Sequence, residues 1–484
     1  MRRITLLCLL SMLTACTPLG QAMEEPGRPA ETRLQPVPIP QLEARLPLFI
    51  LNASQKRYQV QAVDPATGQD APGYAPIVLR HSEYLPAHAL SADGQKLAIV
   101  DGSGESCEPY AGGTRCVGSA DTLHLIDVAA WRVVTAALPT QGGVGPLRFS
   151  PDASRLALIN TQQGAHTLIL MDAATGDVVA QRALVFPPWL MAYAENGRTL
   201  MLYGQPLGSN PGVTQPDPPR VQLVDAATLE VTWEQELAGV LSGFWCLENC
   251  TTSHEMQVFA SWMPAVVPSV DGSQLYVVHA DQEKLTTVDL QARTLRTVEI
   301  ERVQSGLERL LALTASVAQA KGAADGAYKE AALSPDGTRL YVVGRSMSAA
   351  DDGHGGWQIA ETSLGLQVID VESGRRVASR ESEASGVRIT LDGAHGLLNG
   401  WGEQEQWAEV FDVDSLEPVG RLAGWEVAAI RQVEGRPVIV ASHPGENATR
   451  FAVFDARSLD AIHSWAAKGY AAWLTRPYLT DGPG

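Results

Sequence analysis

Short segments in which apolar and polar residues alternate recur in groups along the whole chain. In each group, one segment ends in Asp. A well-preserved copy reads LQVIDVESGRRVAS from Leu366, where Asp370 ends the first segment and a Ser-Gly turn leads into the second. Alternation over four to eight residues indicates a β-strand. The Asp recurs eight times, at Asp64, Asp127, Asp172, Asp225, Asp289, Asp370, Asp412 and Asp455. The pattern therefore predicts an internal repeat built from strands.

The spacing of these Asp residues gives the size of one repeat. Successive Asp residues are 63, 45, 53, 64, 81, 42 and 43 positions apart, so the smallest unit has 42 to 45 residues. A four-stranded propeller blade takes about 40–45 residues, and longer gaps are then blades with insertions. In one unit we predict a two-residue hairpin turn at Asp336-Gly337. The four strands predicted there are EAALSP from Glu330, RLYVVG from Arg339, LGLQVIDV from Leu364 and RRVASRE from Arg375.

A second repeated phrase precedes seven of the eight Asp copies. It is best preserved as SPDGTRLYVV from Ser334, with weaker versions around Ser91, Ser150, Asn196, Asp271, Asp392 and Gly435. No unit could bury both faces of its sheet alone, so the units must stack, and a ring leaves only short edges. The fold predicted is all-β, a single β-propeller. Eight four-stranded blades are favoured, and the degenerate phrases at 391–395 and 433–435 leave seven blades as the alternative.

The two ends of the chain predict how the ring closes. The first copy has a second strand at Leu48–Leu51, a third at Tyr58–Asp64 and a fourth after Gly68, but no first strand. At the other end, GYAAWLTRP from Gly469 is a strand pattern without a continuation. We therefore expect the N- and C-terminal strands to share one blade. Chain termini are poorly ordered unless they pair with the rest of the fold, so removing the last segment is expected to open the ring.

The two repeated phrases, SPDGTRLYVV and VIDVESGRRVA, resemble the YVTN-type bacterial β-propeller repeats, which are related in architecture to WD40 propellers. The resemblance covers residues 46–477. It implies a propeller fold. It implies little about activity, because propellers host many unrelated functions.

The N-terminus has the features of an export signal. A basic start, Met1-Arg2-Arg3, precedes an apolar stretch, Ile4–Leu13, that is too short to span a bilayer. Leu13-Thr14-Ala15-Cys16 resembles the bacterial lipobox, which implies cleavage before Cys16 and acylation of that residue, palmitate included. An ordinary secretory signal with an incidental Cys is the alternative.

Three regions follow from this. Residues 1–15 are predicted to be a lipoprotein signal peptide, residues 16–45 a Pro-rich disordered tether, and residues 46–484 the propeller. Thr17 resembles the sorting position of outer-membrane lipoproteins. The expected location is the extracytoplasmic side of the cell envelope, at the outer membrane or the cell surface, with acyl chains on Cys16 as the membrane contact.

Charge and cysteine usage agree with export. The chain has 36 Lys and Arg against 54 Asp and Glu, a net charge of −18, which argues against a nucleic-acid partner. Beyond the signal peptide and Cys16, four cysteines are present, and an even, locally paired set in an exported protein indicates disulfides. The favoured pairs are Cys107 with Cys116 and Cys246 with Cys250, and a zinc site is the rival interpretation.

The long insertions are all expected on one face of the ring. Turns between first and second strands and between third and fourth strands are short and share one face. The long segments belong to the other face: Gly102–Ala120, Gly204–Arg220, Ala238–Val267, Arg302–Lys329 and Gly344–Ser363. Rigid scaffolds often carry recognition on such loops, although loop growth can also be merely tolerated. Within the fourth segment, Val303–Gln319 has the spacing of an amphipathic helix.

Few residues in these insertions suggest chemistry. Trp245, Trp262 and Trp357 are candidate binding residues. Asp351, Asp352 and His354 are weak metal-ligand candidates, and no cofactor is predicted. The segment from His254 to Val258 has Val where a zinc-protease motif needs its second His, and the chain contains no G-x-S-x-G, C-x-x-C-H, P-loop or Rossmann motif, so we predict no catalytic residues.

Two functional hypotheses follow. The first is a membrane-anchored extracytoplasmic propeller lipoprotein that acts as a binding scaffold, with a protein or an envelope polysaccharide held by the loop-rich face. The second is an extracytoplasmic propeller enzyme, a lyase, hydrolase or metal-dependent redox protein, with its active site at the mouth of the channel. The sequence favours the first, because no catalytic signature was found in it.

Overall fold

The computed structural model describes most of the chain from residue 47 to residue 474. The described residues are 47–54, 57–64, 67–80, 87–101, 104–110, 113–162, 164–194, 197–204, 217–248, 258–302, 324–351, 357–390, 392–402, 405–433, 436–445, 448–468 and 470–474. The signal peptide predicted over 1–15, the tether over 16–45 and the helix over 303–319 lie outside them. Within them the structure is all-β and contains no α-helix.

In chain order the strands are β1 (Leu48–Ser54), β2 (Arg57–Val63), β3 (Ile77–Arg80), β4 (His88–Leu90), β5 (Lys96–Asp101), β6 (Gly104–Tyr110), β7 (Gly113–Asp127), β8 (Arg132–Phe149), β9 (Arg155–Gln162), β10 (Ala165–Asp172), β11 (Val178–Leu184), β12 (Pro188–Ala194), β13 (Thr199–Gly204), β14 (Arg220–Asp225), β15 (Val231–Glu236), β16 (Gly243–Glu248), β17 (Val258–Met263), β18 (Ala265–Pro268), β19 (Gln274–Val278), β20 (Lys284–Asp289), β21 (Thr294–Glu299), β22 (Glu301–Arg302), β23 (Ala324–Leu333), β24 (Arg339–Asp351), β25 (Trp357–Ser363), β26 (Leu366–Asp370), β27 (Arg375–Arg380), β28 (Gly386–Ile389), β29 (His395–Trp401), β30 (Gln406–Asp412), β31 (Pro418–Ala423), β32 (Glu426–Val433), β33 (Arg436–His443), β34 (Ala448–Asp455), β35 (Ala461–Lys468) and β36 (Tyr470–Leu474).

These strands form eight four-stranded antiparallel blades in a ring, as the repeat predicts. From the innermost strand outwards, the blades are β36-β1-β2-β3, β4-β5-β7-β8, β8-β9-β10-β11, β12-β13-β14-β15, β18-β19-β20-β21, β23-β24-β26-β27, β28-β29-β30-β31 and β32-β33-β34-β35, numbered one to eight in that order. β8 is shared because it is long: residues 132–137 pair with β7 in blade 2, and residues 143–149 pair with β9 in blade 3.

The ring closes by pairing the two ends of the described chain. β36 lies antiparallel to β1, from Phe49 opposite Leu474 to Ala53 opposite Tyr470. Leu474 packs in a cluster with residues of blade 2, and Ala471 packs in a cluster with residues of blade 8. The predicted closure by the N- and C-terminal strands is thereby confirmed, and the seventh and eighth blades, whose repeated phrases are degenerate, each have four described strands.

Every blade is buried on both faces. In β10, the adjacent residues Leu168 and Ile169 are both fully buried, yet they belong to different clusters, one against blade 4 and one against blade 2. Eight such apolar clusters occur, one at each interface between neighbouring blades. A sheet covered on both sides explains why the second and third strands of a blade are nearly continuous apolar runs.

The repeated Asp holds the turn between the third and fourth strands. In blade 3, Asp172 Oδ1 accepts hydrogen bonds from the backbone N–H groups of Ala174 at 2.9 Å and Thr175 at 3.1 Å, and these bonds lower the pKa of the carboxyl. The last residue of this turn, Gly176 in blade 3 and Leu229 in blade 4, has positive φ, 78° and 60° respectively. Gly adopts this conformation without strain. Leu229 is 1% exposed, so burial of its side chain compensates for the strain.

The turn between the first and second strands differs from the two-residue hairpin predicted at Asp336-Gly337. Four residues separate Ser334 from Arg339, whose backbone groups pair. Ser334 Oγ donates to Asp336 Oδ1 at 2.5 Å and accepts from the Arg339 N–H at 2.9 Å, while Asp336 Oδ1 accepts from the Thr338 N–H at 3.1 Å. The hydroxyl and the carboxylate thus satisfy the backbone of a longer turn, which a primed two-residue turn would not require.

We expect removal of β36 to destabilise the whole ring. Deletion of residues 470–484 leaves the edge of β1 unpaired and exposes the apolar faces that Ala471 and Leu474 cover at 3% and 2% exposure. The unfolding temperature should fall by several degrees at least, and the amides of β1 should lose protection from hydrogen exchange. Deletion of residues 475–484 alone, which keeps β36, is the control. Equal unfolding temperatures for both truncations would contradict the closure.

Candidate functional site

The two faces of the ring differ in their connections. The loop-rich face is defined as the end that carries the connections between second and third strands and between blades, and the short-turn face as the other end. The long connections all lie on the loop-rich face: β5 to β7, β13 to β14, β15 to β18, β21 to β23 and β24 to β26. The topology of the described strands therefore agrees with the predicted placement of the insertions.

Three of these insertions extend the sheet of blade 6 beyond the ring, and this extension is called here the rim sheet. Its strands are β16, β17, the N-terminal part of β23, the C-terminal part of β24, and β25. β17 and β23 come from different insertions and pair in parallel, with Trp262 opposite Ala327. Gly326 permits this approach, since a Cβ there would lie 2.7 Å from the carbonyl oxygen of Ser261. The predicted loop segments are therefore partly strands.

The three candidate tryptophans all belong to the rim sheet. Trp262 is half-buried in β17. In the β16–β17 hairpin, Trp245 lies opposite Ala260. Ala260 precedes Trp262 by two positions in β17. Trp357 begins β25 at the other edge of the sheet, opposite Asp351. The structure thus places Trp245 and Trp262 on neighbouring strands and separates Trp357 from them by β23 and β24.

The other predicted site residues are only partly covered by the described residues. Cys107 lies opposite Cys116 in the β6–β7 hairpin, and Cys246 lies in β16. The disulfides stay predictions, and Cys250 lies outside the described residues. Asp351 ends β24, whereas Asp352 and His354 also lie outside the described part. Among the described residues, no group of three or more His, Cys, Asp or Glu side chains is close enough to hold a metal ion.

A buried charged cluster joins blades 5 and 6 on the loop-rich face. Lys329, in β23, is only 5% exposed, and its Nζ donates to the carbonyl oxygen of Gln282 at 3.3 Å. Burial lowers the pKa of Lys329, and the nearby carboxylate of Glu283 opposes that shift. Glu283 also pairs with Arg376 Nη2 at 2.5 Å. The β19–β20 turn of blade 5 is therefore connected to blade 6 by the Lys329–Gln282 hydrogen bond and the Glu283–Arg376 ion pair. Removing one partner of such a pair would leave the other charge without compensation.

His279 lies beside this cluster and is 2% exposed. Its Nε2 is 2.8 Å from Thr286 Oγ1, which in turn is 2.8 Å from Thr297 Oγ1. Burial lowers the pKa of His279 to about 4, against the opposing charge of Asp281. The ring is therefore neutral at neutral pH. The sequence gives no signal for this cluster, because Lys329 and Arg376 are far from His279 and Glu283 in the chain and the residues match no motif.

A second feature of the loop-rich face lies between blades 7 and 8. Trp401 ends β29 and is 64% exposed, more than any other described aromatic side chain. Trp425 lies just after β31, with its ring 5.1 Å from that of Phe454 and 5.7 Å from that of His443. The guanidinium of Arg450 lies 5.8 Å from the Trp425 ring, within the range of a cation–π contact. The name aromatic cleft is used for this group, which comprises Trp401, Glu405, Gln406, Trp425, His443 and Arg450.

A cavity of about 480 Å³ lies on the short-turn face between blades 5 and 6. Two of its polar side chains already have partners within the fold: Arg296 donates to the carbonyl oxygen of Glu372, and the Tyr276 hydroxyl donates to Gln274 Oε1. Burial raises the pKa of Tyr276 to about 12. These bonds indicate an inter-blade contact, so the cavity is the weaker candidate. In the described part of the chain, no helix is long and apolar enough to cross a membrane.

Comparison with known proteins agrees with the architecture. No protein-family model matches this chain, and no curated protein does. Three solved structures are similar: the dihydro-heme d1 dehydrogenase NirN in complex with DHE (13% identity, 92% of this chain and 77% of that chain, TM-score 0.50), the eukaryotic initiation factor (10%, 96% and 94%, 0.48) and the Kuenenia stuttgartiensis hydrazine synthase (12%, 82% and 99%, 0.38).

The first of these similarities supports the fold and, at 13% identity, nothing about activity. The other two, with TM-scores below 0.5, add no argument. The chain is thus an eight-bladed β-propeller. Its membership of the YVTN-type repeat family stays a prediction.

We expect His279→Gln to reduce the loss of stability in mild acid. Because the folded pKa is about 4 and the unfolded value about 6.5, the unfolded state binds more protons between them, so stability falls as the pH falls through this window. From pH 7.5 to pH 5, His279 should account for about 2 kcal/mol of the decrease. Denaturant unfolding at both pH values measures it, with His463→Gln as the control. An unchanged pH dependence in His279→Gln would contradict the assignment.

Proposed function

We propose that this protein is a lipid-anchored, extracytoplasmic β-propeller that binds a partner through its loop-rich face. The observation that carries the proposal is the rim sheet, in which insertions from separate blades join by the parallel pairing of β17 with β23. Loops that had only been tolerated would not need to be ordered into a common sheet. A rigid surface that projects from a closed ring is suited to recognition, because little conformational entropy is lost on binding.

The side chains of this face also favour binding over catalysis. Binding surfaces are rich in aromatic residues and arginine. The loop-rich face carries residues of both kinds: Trp262, Trp401, Trp425 and Arg450. The charged cluster around Lys329 is the observation that favours the alternative, an enzyme, because perturbed pKa values gather at active sites. That cluster, however, already has protein partners, through Gln282 and the Glu283–Arg376 pair. A binding protein is therefore the better-supported candidate.

The membrane anchor is the second part of the proposal. The lipobox-like Leu13-Thr14-Ala15-Cys16 supports acylation of Cys16, and the Pro-rich residues 16–45 would hold the propeller away from the bilayer. In an extracytoplasmic location, disulfides would then order the insertions. The register that puts Cys107 opposite Cys116 in a hairpin supports one of them.

We expect Cys16→Ser to abolish membrane attachment. The variant loses the thiol that would carry the diacylglycerol, and acyl chains can supply the membrane affinity of a lipid-anchored protein. Fractionation should move the protein from the membrane pellet to the soluble or unprocessed fraction, and labelling with radioactive palmitate should disappear. Cys8→Ser, a change within the predicted signal peptide, is the control and should stay labelled. Palmitate labelling of the Cys16→Ser variant would refute the anchor.

We expect partner contacts on one face only. A photo-reactive amino acid placed at Glu361 or Pro444, both exposed on the loop-rich face, should give crosslinked adducts in intact cells. The same residue at Ala174 or Glu372, exposed in turns of the short-turn face, is the matched control and should give none. Adducts are detected as species of higher mass on immunoblots. Adducts confined to Ala174 and Glu372 would refute the proposed face.

A further inference from the structure

The aromatic cleft between blades 7 and 8 has a defined geometry. Trp401 pairs with Gln406 across β29 and β30, and the Gly424 N–H donates to the Gln406 carbonyl oxygen at 2.8 Å. Leu397 and Ala408 face blade 8, since both pack in the cluster that it shares with blade 7. Side chains two positions apart in a strand lie on the same face, so Trp401 and Gln406 also face blade 8. They therefore lie on the side of Trp425 and His443.

One indole of the cleft is held in place and the other is open to solvent. The Trp425 ring packs edge-to-face against Phe454 and beside His443, and it belongs to the border of the core between blades 7 and 8. Trp401 is 64% exposed. Contact between the apolar surface of an indole and water is unfavourable in free energy. The arrangement offers an apolar platform beside a fixed second ring.

Polar groups of several kinds surround these rings. Gly424, with φ of 76°, lets His443 and Glu405 approach, since a Cβ there would lie 2.8 Å from His443 Cε1 and 3.2 Å from Glu405 Oε2. His443 Nδ1 donates to the Gly424 carbonyl, which leaves Nε2 as the ring nitrogen that a ligand can contact. Among the described residues, Gln406 Oε1 is buried and has no hydrogen-bond partner, so it is not exposed to a ligand. The guanidinium of Arg450 adds donors beside Trp425.

This combination suits one class of ligand. A sugar ring presents an apolar C–H face, which stacks on an indole, and hydroxyls, which both donate and accept hydrogen bonds. Glu405 supplies acceptors, Arg450 supplies donors, and the charges of Glu405 and Arg450 balance. An acidic saccharide or a nucleic acid would need a surplus of positive charge, and the chain as a whole has a net charge of −18. The core of a protein interface would be poorer in charged groups.

We infer that the aromatic cleft binds a neutral sugar unit of an envelope polysaccharide. The inference rests on the proposed function, because it names the ligand class for one part of the same loop-rich face. Trp401 stacks on the sugar ring, and Glu405, His443 and Arg450 hydrogen-bond its hydroxyls. The residues lie at the ends of β29, β31 and β33 and at the starts of β30 and β34, so the rigid ring holds them in place before the ligand arrives.

Titration of the detergent-solubilised full-length protein with neutral gluco-, manno- and galacto-hexasaccharides tests the inference, with tryptophan fluorescence and calorimetry as readouts. At least one of these probes should bind, and Trp401→Ala should weaken it about tenfold, the effect of losing one stacking contact. Trp401→Phe should restore part of the affinity, because an aromatic face remains. Val419→Ala, a change at an exposed position near the short-turn end of β31, is the control and should bind as the wild type does.

Three results would overturn the inference: no binding of any neutral hexasaccharide, equal affinities for wild type and Trp401→Ala, or tighter binding of a uronic-acid hexamer than of the neutral probes. Thermal unfolding of Trp401→Ala should match the wild type, because the side chain is mostly exposed, so a loss of affinity reports on the cleft. The proposed function would survive such a failure if crosslinks at Glu361 or Pro444 still formed, and a protein adduct there would identify the partner as a protein.

Discussion

The pairing of β36 with β1 is the constraint on which the rest of the structure depends. Each blade buries both faces of its sheet against its neighbours, so a missing strand in one blade exposes apolar surface on two interfaces. The five pairs from Phe49–Leu474 to Ala53–Tyr470 complete blade 1 with a strand from the far end of the chain. Because this contact links residues more than 400 positions apart, it fixes the ring as one body.

The two faces of the closed ring differ in their polar groups and in their connections. On the short-turn face, carboxylates and hydroxyls such as Asp172, Ser334 and Asp336 are engaged by the backbone of their own turns. Those groups stabilise the repeat and are not free to contact a ligand. On the loop-rich face the connections vary in length, and two of the longest build the rim sheet through β17 and β23. We therefore propose that recognition takes place at the loop-rich end of the strands, whereas the short-turn end stabilises the repeat.

The sequence was sufficient for features that depend on local pattern. The Asp phrase predicted the blades because its side chain holds a turn whose geometry is the same in each copy, and the incomplete first copy predicted the closure. Features that depend on contacts between blades were missed. Nothing near Lys329 in the chain indicates His279 or Glu283, and the exposure of Trp401 could not be distinguished from that of a buried tryptophan such as Trp407. The segment WGEQEQW from Trp401, polar between two tryptophans, was the available signal.

Hydroxyl-radical footprinting of the protein in intact cells and after purification tests the central claim, that the loop-rich face is the binding face, most directly. The account predicts that Trp262, Trp401 and Trp425 are oxidised less in cells than in the purified protein, because a partner covers them there. Residues of the short-turn face, such as Trp131 and the exposed Val419, should be oxidised equally in both samples. Protection confined to the short-turn face, or equal oxidation of both faces in both samples, would contradict the account.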